Sequence, residues 1–126
     1  MAEKEIWKKY PEIPFIEASN LGRIRTVDRT VIRSDGQKQF VKGVILKQWD
    51  NGRGYLYVTV GLNGNFVHLR VNRVVAIAFV PNPDNLPEVN HKDNDKTDNS
   101  VGNLEWCTSQ YNQDYKKNFG TSPAIS

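Results

Sequence analysis

One histidine and two asparagines in the C-terminal third of the chain have side chains suited to hydrolysis beside a metal ion. They lie in the segment 88–118, EVNHKDNDKTDNSVGNLEWCTSQYNQDYKKN. A histidine such as His91, with an ordinary pKa of about 6.5, is suited to take a proton from water at neutral pH. The amide oxygens of Asn90 and Asn112 are hard ligands of the kind that Mg²⁺ accepts, together with waters and substrate phosphate oxygens. The predicted chemistry is attack by a deprotonated water beside a divalent cation.

Two short strands and a helix are predicted to bring these side chains together. Residues 88–92 and 103–107 have strand patterns with a polar loop between them, and Thr108 is a suitable N-cap for the helix that follows. His91 then lies on the first strand and Asn112 on the helix that crosses it, so we expect the two side chains to converge. Three aromatic residues at helical spacing are expected to face the core: Tyr111, Tyr115 and Phe119.

The N-terminal half is predicted to consist mainly of antiparallel strands. The segment 15–26, FIEASNLGRIRT, has the pattern of a strand, a turn and a strand. A second turn at residues 34–36, Ser-Asp-Gly, precedes the segment 40–49, FVKGVILKQW, whose β-branched residues predict a further strand. The predicted fold class is therefore α+β.

A β-hairpin followed by a helix is the clearest local prediction. In GYLYVTVGL-NG-NFVHLRV, the Asn63-Gly64 pair suits a two-residue turn that needs positive φ at both positions. The resulting register gives a buried face made of Leu56, Val58, Val60, Val67, Leu69 and Val71. The opposite face presents polar and aromatic side chains to solvent or nucleic acid: Tyr57, Thr59, His68 and Arg70. Asn72 is expected to cap a helix, RVVAIAF, that ends before Pro81.

Basic residues are concentrated between residues 21 and 73, which contain ten basic and three acidic side chains. From residue 80 to the end there are four basic and seven acidic side chains. Lysine and arginine that neutralise phosphates give DNA-binding proteins their affinity, whereas a solvated strand face is the alternative explanation. The candidate phosphate contacts are Arg23, Arg25, Arg29, Arg33, Lys42, Lys47, Arg53, Arg70 and Arg73, with Tyr57 beside them.

The composition is that of an ordinary soluble globular domain. Of 126 residues, 38% are hydrophobic and 25% are charged, which separates the chain from disordered and fibrous sequences. No apolar run approaches the roughly 18 residues that span a bilayer, and MAEKEIWKKY lacks the core of a signal peptide, so we expect a cytoplasmic protein without a membrane partner. Cys107 is the only cysteine, which excludes an internal disulfide and a zinc site built on cysteine pairs.

The segment 89–112 resembles the HNH homing endonucleases of phages and group I introns. Those enzymes share the pattern VNHxDxxKxxNxxxNLEWxTxxxN. The matching residues here are Val89, Asn90, His91, Asp93, Lys96, Asn99, Asn103, Leu104, Glu105, Trp106 and Thr108, and Asn112 closes the pattern. Upstream, FIEASNLGRIRT is similar to a NUMOD-type motif, and RVNRVVAIAFVPNP resembles the helix that leads into such nuclease cores.

The resemblance implies a ββα-metal (His-Me finger) site with defined roles. His91 would be the general base, and Asn103 would tie the loop and orient His91. Asn90 and Asn112 would hold one Mg²⁺ or Mn²⁺, with no structural zinc. The implied reaction is hydrolysis of a DNA phosphodiester that leaves a 5′ phosphate and a 3′ hydroxyl.

Two positions depart from the family pattern. Some relatives have aspartate where this chain has Asn90, and two neutral amides bind a divalent cation more weakly than an amide and a carboxylate. Relatives commonly have histidine where this chain has Asn72, and His68, four residues earlier, is assigned a structural role. A DNA-binding module that has lost turnover is therefore the alternative function.

Several polar residues have a simpler structural explanation. Asn94 and Asn99 are interpreted as turn formers, because asparagine tolerates left-handed backbone geometry. An EF-hand starting at Asp93 is excluded by spacing, since its sixth position is Asp98 instead of glycine and its twelfth is Leu104.

The predicted organisation has three parts: a NUMOD-like, β-rich region that contacts DNA at residues 1–70, an HNH core at residues 71–119, and a flexible tail at residues 120–126. The substrate is expected to be double-stranded DNA, and the protein is expected to be cytoplasmic, either phage-encoded or of the host cytosol. A single site cuts one strand per encounter, so double-strand cleavage would need a homodimer or a second binding event. Recognition of the target is expected to be loose, or to come from a partner protein or a second subunit.

Overall fold

The computed structural model describes the backbone of residues 3–119 and the side chains of residues 3–114. Its elements, in chain order, are β1 (Trp7–Lys9), β2 (Ile16–Ser19), β3 (Ile24–Thr26), β4 (Arg29–Ile32), β5 (Lys38–Val41), β6 (Trp49–Asp50), β7 (Leu56–Leu62), β8 (Asn65–Arg70), α1 (Val71–Phe79), β9 (Glu88–His91), a 3₁₀ turn (Val101–Asn103), β10 (Leu104–Cys107) and α2 (Ser109–Phe119). The predicted α+β class is confirmed, and the strand pairs are antiparallel. The predicted tail, 120–126, lies outside the described residues.

The first sheet consists of β1, β2 and β3, in that order. The turn between β2 and β3 contains Gly22 at φ 93°, which confirms the predicted strand, turn and strand. Strands β4 and β5 form a separate two-stranded hairpin.

The continuous strand predicted for residues 40–49 is wrong. β5 ends at Val41, and the chain leaves its hairpin because the Gly43 N–H donates to Asp28 Oδ1 at 2.7 Å. The Val44 N–H then donates to Thr26 Oγ1 at 3.0 Å, and Ile45 makes an isolated bridge with Arg25. The segment thus pairs first with β4 and then with the edge of β3. Local β propensity does not predict this change of partner, because it depends on where β3 lies in space.

The predicted hairpin of β7 and β8 is confirmed in its turn and its register. Asn63 and Gly64 have φ values of 53° and 82°, and Val58 pairs with Leu69. Val58 and Val60 are buried, and Tyr57 and Arg70 lie on the opposite face of the sheet.

Helix α1 begins directly after β8, at Val71. Arg70 occupies the N-cap position without a side-chain cap bond, and Asn72 lies inside the first turn, so the prediction that Asn72 caps the helix is wrong. Asn72 is buried instead, and its Oδ1 has no hydrogen-bond partner among the described residues. The predicted end is confirmed, because the helix stops at Phe79, before Pro81.

One hydrophobic core joins the two predicted regions on either side of residue 70. Ile16 and Val58 from the N-terminal part pack in the same cluster as Val75 of α1 and Leu104 of β10. Helix α1 contacts β1, β2 and β3 as well as β9 and β10, so it is the element that fixes the C-terminal ribbon relative to the first sheet. Within the described residues, no helix is long and apolar enough to cross a membrane.

Candidate active site

The ribbon of β9 and β10 supplies the frame of the site. Its register pairs His91 with Leu104 and Asn90 with Glu105. Helix α2 follows, and Thr108 Oγ1 accepts the Tyr111 N–H at 3.0 Å, which confirms the predicted cap. The predicted strands 88–92 and 103–107 are each one residue longer than the observed strands.

Tyr111 does not face the core as predicted. Its side chain is 45% exposed, and its hydroxyl reaches Glu105 Oε2 at 3.4 Å across the surface. The predictions for the side chains of Tyr115 and Phe119 lie outside the described residues.

His91 is buried at the end of β9, where its ring orientation is fixed. Its Nε2 lies 2.7 Å from Asn99 Oδ1, and its ring centroid lies 6.2 Å from that of Tyr55. An amide oxygen can only accept, so a neutral His91 must carry its proton on Nε2. Its Nδ1 then has a free lone pair and is the basic atom of the ring.

The pKa of His91 is lowered from its ordinary value. Burial is the main cause because it disfavours the charged ring, while the hydrogen bond to Asn99 and the carboxylates of Asp93, Asp95 and Asp98 oppose the shift. The lowered pKa keeps the ring neutral, the form that can accept a proton at neutral pH.

The prediction that Asn99 is simply a turn former is wrong. Asn99 is buried, and its side chain holds His91. The available signal was its place among the fixed positions of the family pattern, since turn propensity alone gave the wrong role. Asn94 does form a turn, with φ at 64° and its N–H donated to His91 O at 2.9 Å.

Asn103 ties the loop between the two strands together. Its Oδ1 accepts the Asp93 N–H at 3.0 Å, and its Nδ2 donates to Asp93 Oδ1 at 2.8 Å and to Asp98 O at 2.9 Å. The side chain that contacts His91 directly is that of Asn99, so Asn103 acts on His91 only through the shape of the loop.

The N-terminal turn packs against this loop. The Val101 N–H donates to Asn20 O at 2.9 Å, and a Cβ added at Gly22 would lie 3.0 Å from the carbonyl carbon of Asn99. The backbone that carries the partner of His91 is therefore braced by the first sheet.

Both predicted metal-binding amides are paired with glutamates. Asn90 Nδ2 donates to Glu105 Oε2 at 2.7 Å, and Asn112 Nδ2 donates to Glu88 Oε1 at 2.9 Å. Glu88 and Asn90 alternate on β9 and so share one face of the ribbon, which puts Asn112 on the same face as Asn90. His91 alternates with Asn90 on β9 and takes part in neither pair; its ring contacts among the described residues are Asn99 and Tyr55, and the predicted convergence of His91 with Asn112 is not among them.

The donor set fits a hard divalent cation. Asn112 is buried, and its Oδ1 has no hydrogen-bond partner among the described residues. Buried amide oxygens normally have a partner, so this oxygen is available to bind a cation. In the described part of the chain no three His, Cys, Asp or Glu side chains cluster, so a cation here would depend on amide oxygens. Cys107, the last residue of the strand that carries Glu105, is buried.

An aromatic and basic surface leads from the hairpin to His91. Trp49 stacks on Tyr57 with ring centroids 4.9 Å apart, and Arg70 Nη2 donates to the Tyr57 hydroxyl at 3.0 Å. The Arg70 guanidinium also lies 5.0 Å from the ring centroid of Tyr55, the same ring that contacts His91. We call Trp49, Tyr55, Tyr57 and Arg70 the outer aromatic face.

Several of the predicted phosphate contacts have partners within the protein. Arg23 pairs with Glu5, Arg25 pairs with Glu17 at 2.6 Å, and Arg33 pairs with Asp35 at 3.3 Å. The remaining positions are distributed as follows: Arg29 lies over Phe15, Arg73 donates to Pro87 O, and Lys42, Lys47 and Arg53 are exposed. The charge count began at residue 21 and therefore did not include Glu5 and Glu17, which the fold places against Arg23 and Arg25.

Two family models match successive parts of the chain. A model of the NUMOD4 motif matches residues 5–61, and a model of the HNH endonuclease family matches residues 69–114. The predicted boundary at residue 70 falls next to the start of the second match.

Two relatives from Acanthamoeba polyphaga mimivirus are each named as an uncharacterized HNH endonuclease. One is 44% identical over 59 residues, covering 47% of this chain and 18% of the relative. The other is 32% identical over 114 residues, covering 87% of this chain and 25% of the relative. The chain thus spans a quarter or less of the length of these relatives.

A solved structure of the HNH homing endonuclease I-HmuI, which concerns DNA binding and cleavage by that enzyme, is also similar. It aligns with a TM-score of 0.70 and 26% identity, covering 93% of this chain and 60% of that one.

Proposed function

We propose that this chain, which matches models of the NUMOD4 motif and of the HNH endonuclease family, hydrolyses phosphodiester bonds in double-stranded DNA. The observation that supports this most directly is the buried His91, whose Nε2 is occupied by Asn99 and whose Nδ1 is basic. A ring held in one tautomer with a lowered pKa has the properties of a general base at neutral pH.

In the proposed reaction, His91 Nδ1 takes a proton from a water molecule as the water oxygen attacks phosphorus. The new oxygen–phosphorus bond forms in line with the bond to the 3′ oxygen, which breaks. The 3′ oxygen leaves with the electron pair and takes a proton from solvent. The products are a 5′ phosphate and a 3′ hydroxyl.

Asn90 and Asn112 are the residues that would hold a divalent cation, Mg²⁺ or Mn²⁺, through their amide oxygens. When bound, such a cation neutralises the negative charge that develops on the phosphate and the departing oxygen. The roles proposed for the protein residues are separate from it: Asn99 fixes the His91 tautomer, and Asn103 holds the loop that carries Asn99.

The outer aromatic face is the proposed surface for the DNA duplex nearest the site. It carries Arg70, which is exposed, and it is continuous through Tyr55 with His91. Phosphate binding by arginine and lysine gives affinity without regard to sequence. One such site cuts one strand per encounter, so we propose nicking by a single copy and double-strand cleavage only with a second copy or partner protein.

A plasmid-nicking assay tests the proposal. Supercoiled DNA is incubated with the protein in Mg²⁺, Mn²⁺ or EDTA, beside a His91→Ala variant. We expect nicking by the wild type in the presence of metal and a loss of about 100-fold or more in the variant, the scale of general-base catalysis.

The alternative function is a DNA-binding module without turnover, which the amide at Asn90 favours. If the wild type and His91→Ala nick equally little while both bind DNA, the alternative is correct and the nuclease proposal is wrong. If the wild type does not bind DNA at low salt, both proposals are wrong.

A further inference from the structure

The two amides proposed to hold the cation are both fixed by carboxylates. In each pair the amide nitrogen donates to a glutamate, at 2.7 Å for Asn90 with Glu105 and at 2.9 Å for Asn112 with Glu88. A carboxylate only accepts hydrogen bonds, so the nitrogen must be the end of each amide that faces it. The oxygen of each amide is therefore the end directed away from the glutamate.

The oxygen of Asn112 supplies independent support for a ligand at this place. It is buried and has no hydrogen-bond partner among the described residues, although its nitrogen is bonded. An amide oxygen in that state costs free energy unless something binds it. A cation would satisfy it.

The glutamates also bring negative charge close to the proposed cation. Two amides bring no net charge to a divalent cation, and Asn90 stands where some relatives have a carboxylate. Glu105 is directly opposite Asn90 in the ribbon register and is half-buried, so its charge acts at short range with limited screening by water. Glu105 belongs to none of the ion pairs within the described part of the chain.

We propose that Glu105, through its hydrogen bond to Asn90, is a positioning residue that presents the Asn90 oxygen to the cation and supplies the negative charge absent at position 90. Glu88 likewise presents the Asn112 oxygen to the cation through its hydrogen bond to the Asn112 amide. The Ser109 hydroxyl donates to Glu88 Oε2 at 2.7 Å and holds that carboxylate in place. The inference rests on the proposed function, since it concerns the cation of that site. Groups that orient metal ligands in this way typically contribute about 10- to 100-fold to metal affinity.

The test measures Mn²⁺ binding to the full chain by electron paramagnetic resonance, without DNA, so that it does not depend on turnover. Glu105→Gln keeps an acceptor for the Asn90 N–H but removes the charge, and Glu105→Ala removes both. We expect affinity to fall about 10-fold in Glu105→Gln and further in Glu105→Ala. Asp114→Asn is the matched control, because it removes an exposed carboxylate from α2 that bonds Gln110 and contacts neither amide.

A double-mutant cycle makes the mechanism specific. Asn90→Asp places a carboxylate ligand at position 90 and leaves no amide N–H to donate to Glu105. The Glu105→Gln substitution should therefore lower Mn²⁺ affinity less in the Asn90→Asp background than in the wild type, because only its charge remains to be lost. A structural role for Glu105 would give the same loss in both backgrounds.

Thermal unfolding without metal checks that each variant folds. Should Glu105→Gln not fold, Glu105→Asp carries the same comparison, because it withdraws the carboxylate from Asn90 while keeping its charge, and it should also weaken Mn²⁺ binding. Equal Mn²⁺ affinity in the wild type and the Glu105 variants, with nicking by the wild type intact, would overturn this inference alone. An equal loss in Asp114→Asn would also overturn it, by showing a general charge effect. Absence of both Mn²⁺ binding and nicking in the wild type would overturn the proposed function together with it.

Discussion

Asn99 Oδ1 lies 2.7 Å from His91 Nε2, and both side chains are buried. The Asn99 oxygen can only accept, so the single N–H proton of the neutral ring is on Nε2. This contact therefore selects the tautomer in which Nδ1 is basic. The orientation of the proposed general base is therefore set by the loop that follows β9 and by whatever holds that loop in place.

Replacement of Asn99 by alanine should reduce nicking without abolishing DNA binding. Alanine cannot accept the Nε2 proton, so His91 is free to populate the other tautomer and other ring rotations. We expect a nicking rate about 10- to 100-fold lower, by analogy with the loss caused by removing a group that orients a metal-binding histidine. The assay is run at pH 8, where His91 is neutral. Asn99→Asp, which keeps an acceptor, should retain more activity than Asn99→Ala; equal rates in the two variants would contradict the role of Asn99.

The turn of the NUMOD4 motif should influence nicking through Asn99. Gly22 has φ 93°, and a Cβ there would approach the Asn99 carbonyl carbon to 3.0 Å. Gly22→Ala should therefore lose about 1–2 kcal/mol of unfolding free energy from backbone strain and also lower the nicking rate about 10-fold.

Gly36→Ala is the matched control for that substitution. Gly36 also has positive φ, at 84°, but a Cβ there meets nothing within 4 Å. We expect a comparable loss of stability in urea unfolding and wild-type nicking at a temperature where both variants are folded. Equal nicking by the two variants would show that the first sheet does not brace the site.

Arg70 should contribute more to DNA affinity than Arg33, although both are exposed arginines in the basic half of the sequence. Arg70 lies on the outer aromatic face beside Tyr55, whereas Arg33 is paired with Asp35 at 3.3 Å. In EDTA, with a random-sequence duplex, Arg70→Ala should lower affinity and reduce the slope of log K against log salt by about 1. Arg33→Ala should leave that slope nearly unchanged. A larger loss of DNA affinity in Arg33→Ala than in Arg70→Ala would contradict this prediction and indicate that DNA binds at the β4–β5 hairpin.

The ion pair of Glu5 with Arg23 should make part of the stability depend on acidity. The hydrogen bond from Arg23 is the main reason that the pKa of Glu5 is lowered from 4.5 to about 2. A carboxyl whose pKa is lower in the folded state stabilises the fold at pH above about 4.5 and loses that contribution as the pH falls toward 2.

Urea unfolding of the wild type and Glu5→Gln, at several pH values between 7 and 2, measures this contribution. The difference in unfolding free energy should be full at pH 7 and shrink toward zero near pH 2. Arg23→Gln should show the same pH profile. The double variant should lose little more unfolding free energy than either single variant. A difference that does not change with pH would mean that Glu5 acts through packing alone.

Local sequence determined the turns and helix ends whose conformation depends only on residues close together along the chain. The Asn63-Gly64 turn fixed the register of β7 and β8, and alternation of apolar residues fixed which side of that hairpin is buried. Thr108 determined the start of α2 in the same way, because a cap bond spans only three residues. The family pattern through Asn90, His91 and Asn112 pointed to the segment that the HNH endonuclease model matches, whereas the roles of the three residues stay predictions.

Tertiary structure decided what those side chains contact. Turn propensity made Asn99 a loop former, but burial beside His91 gave its amide a partner eight positions away. The charge count predicted that Arg23 and Arg25 bind a polyanion, but the fold places Glu5 against Arg23, and strand pairing places Glu17 against Arg25. Glu105, a fixed residue of the pattern with no assigned role, lies opposite Asn90 only because β9 and β10 pair in one register. Hydrogen bonds and ion pairs act over a few ångströms, so they depend on distances in space that sequence separation does not determine.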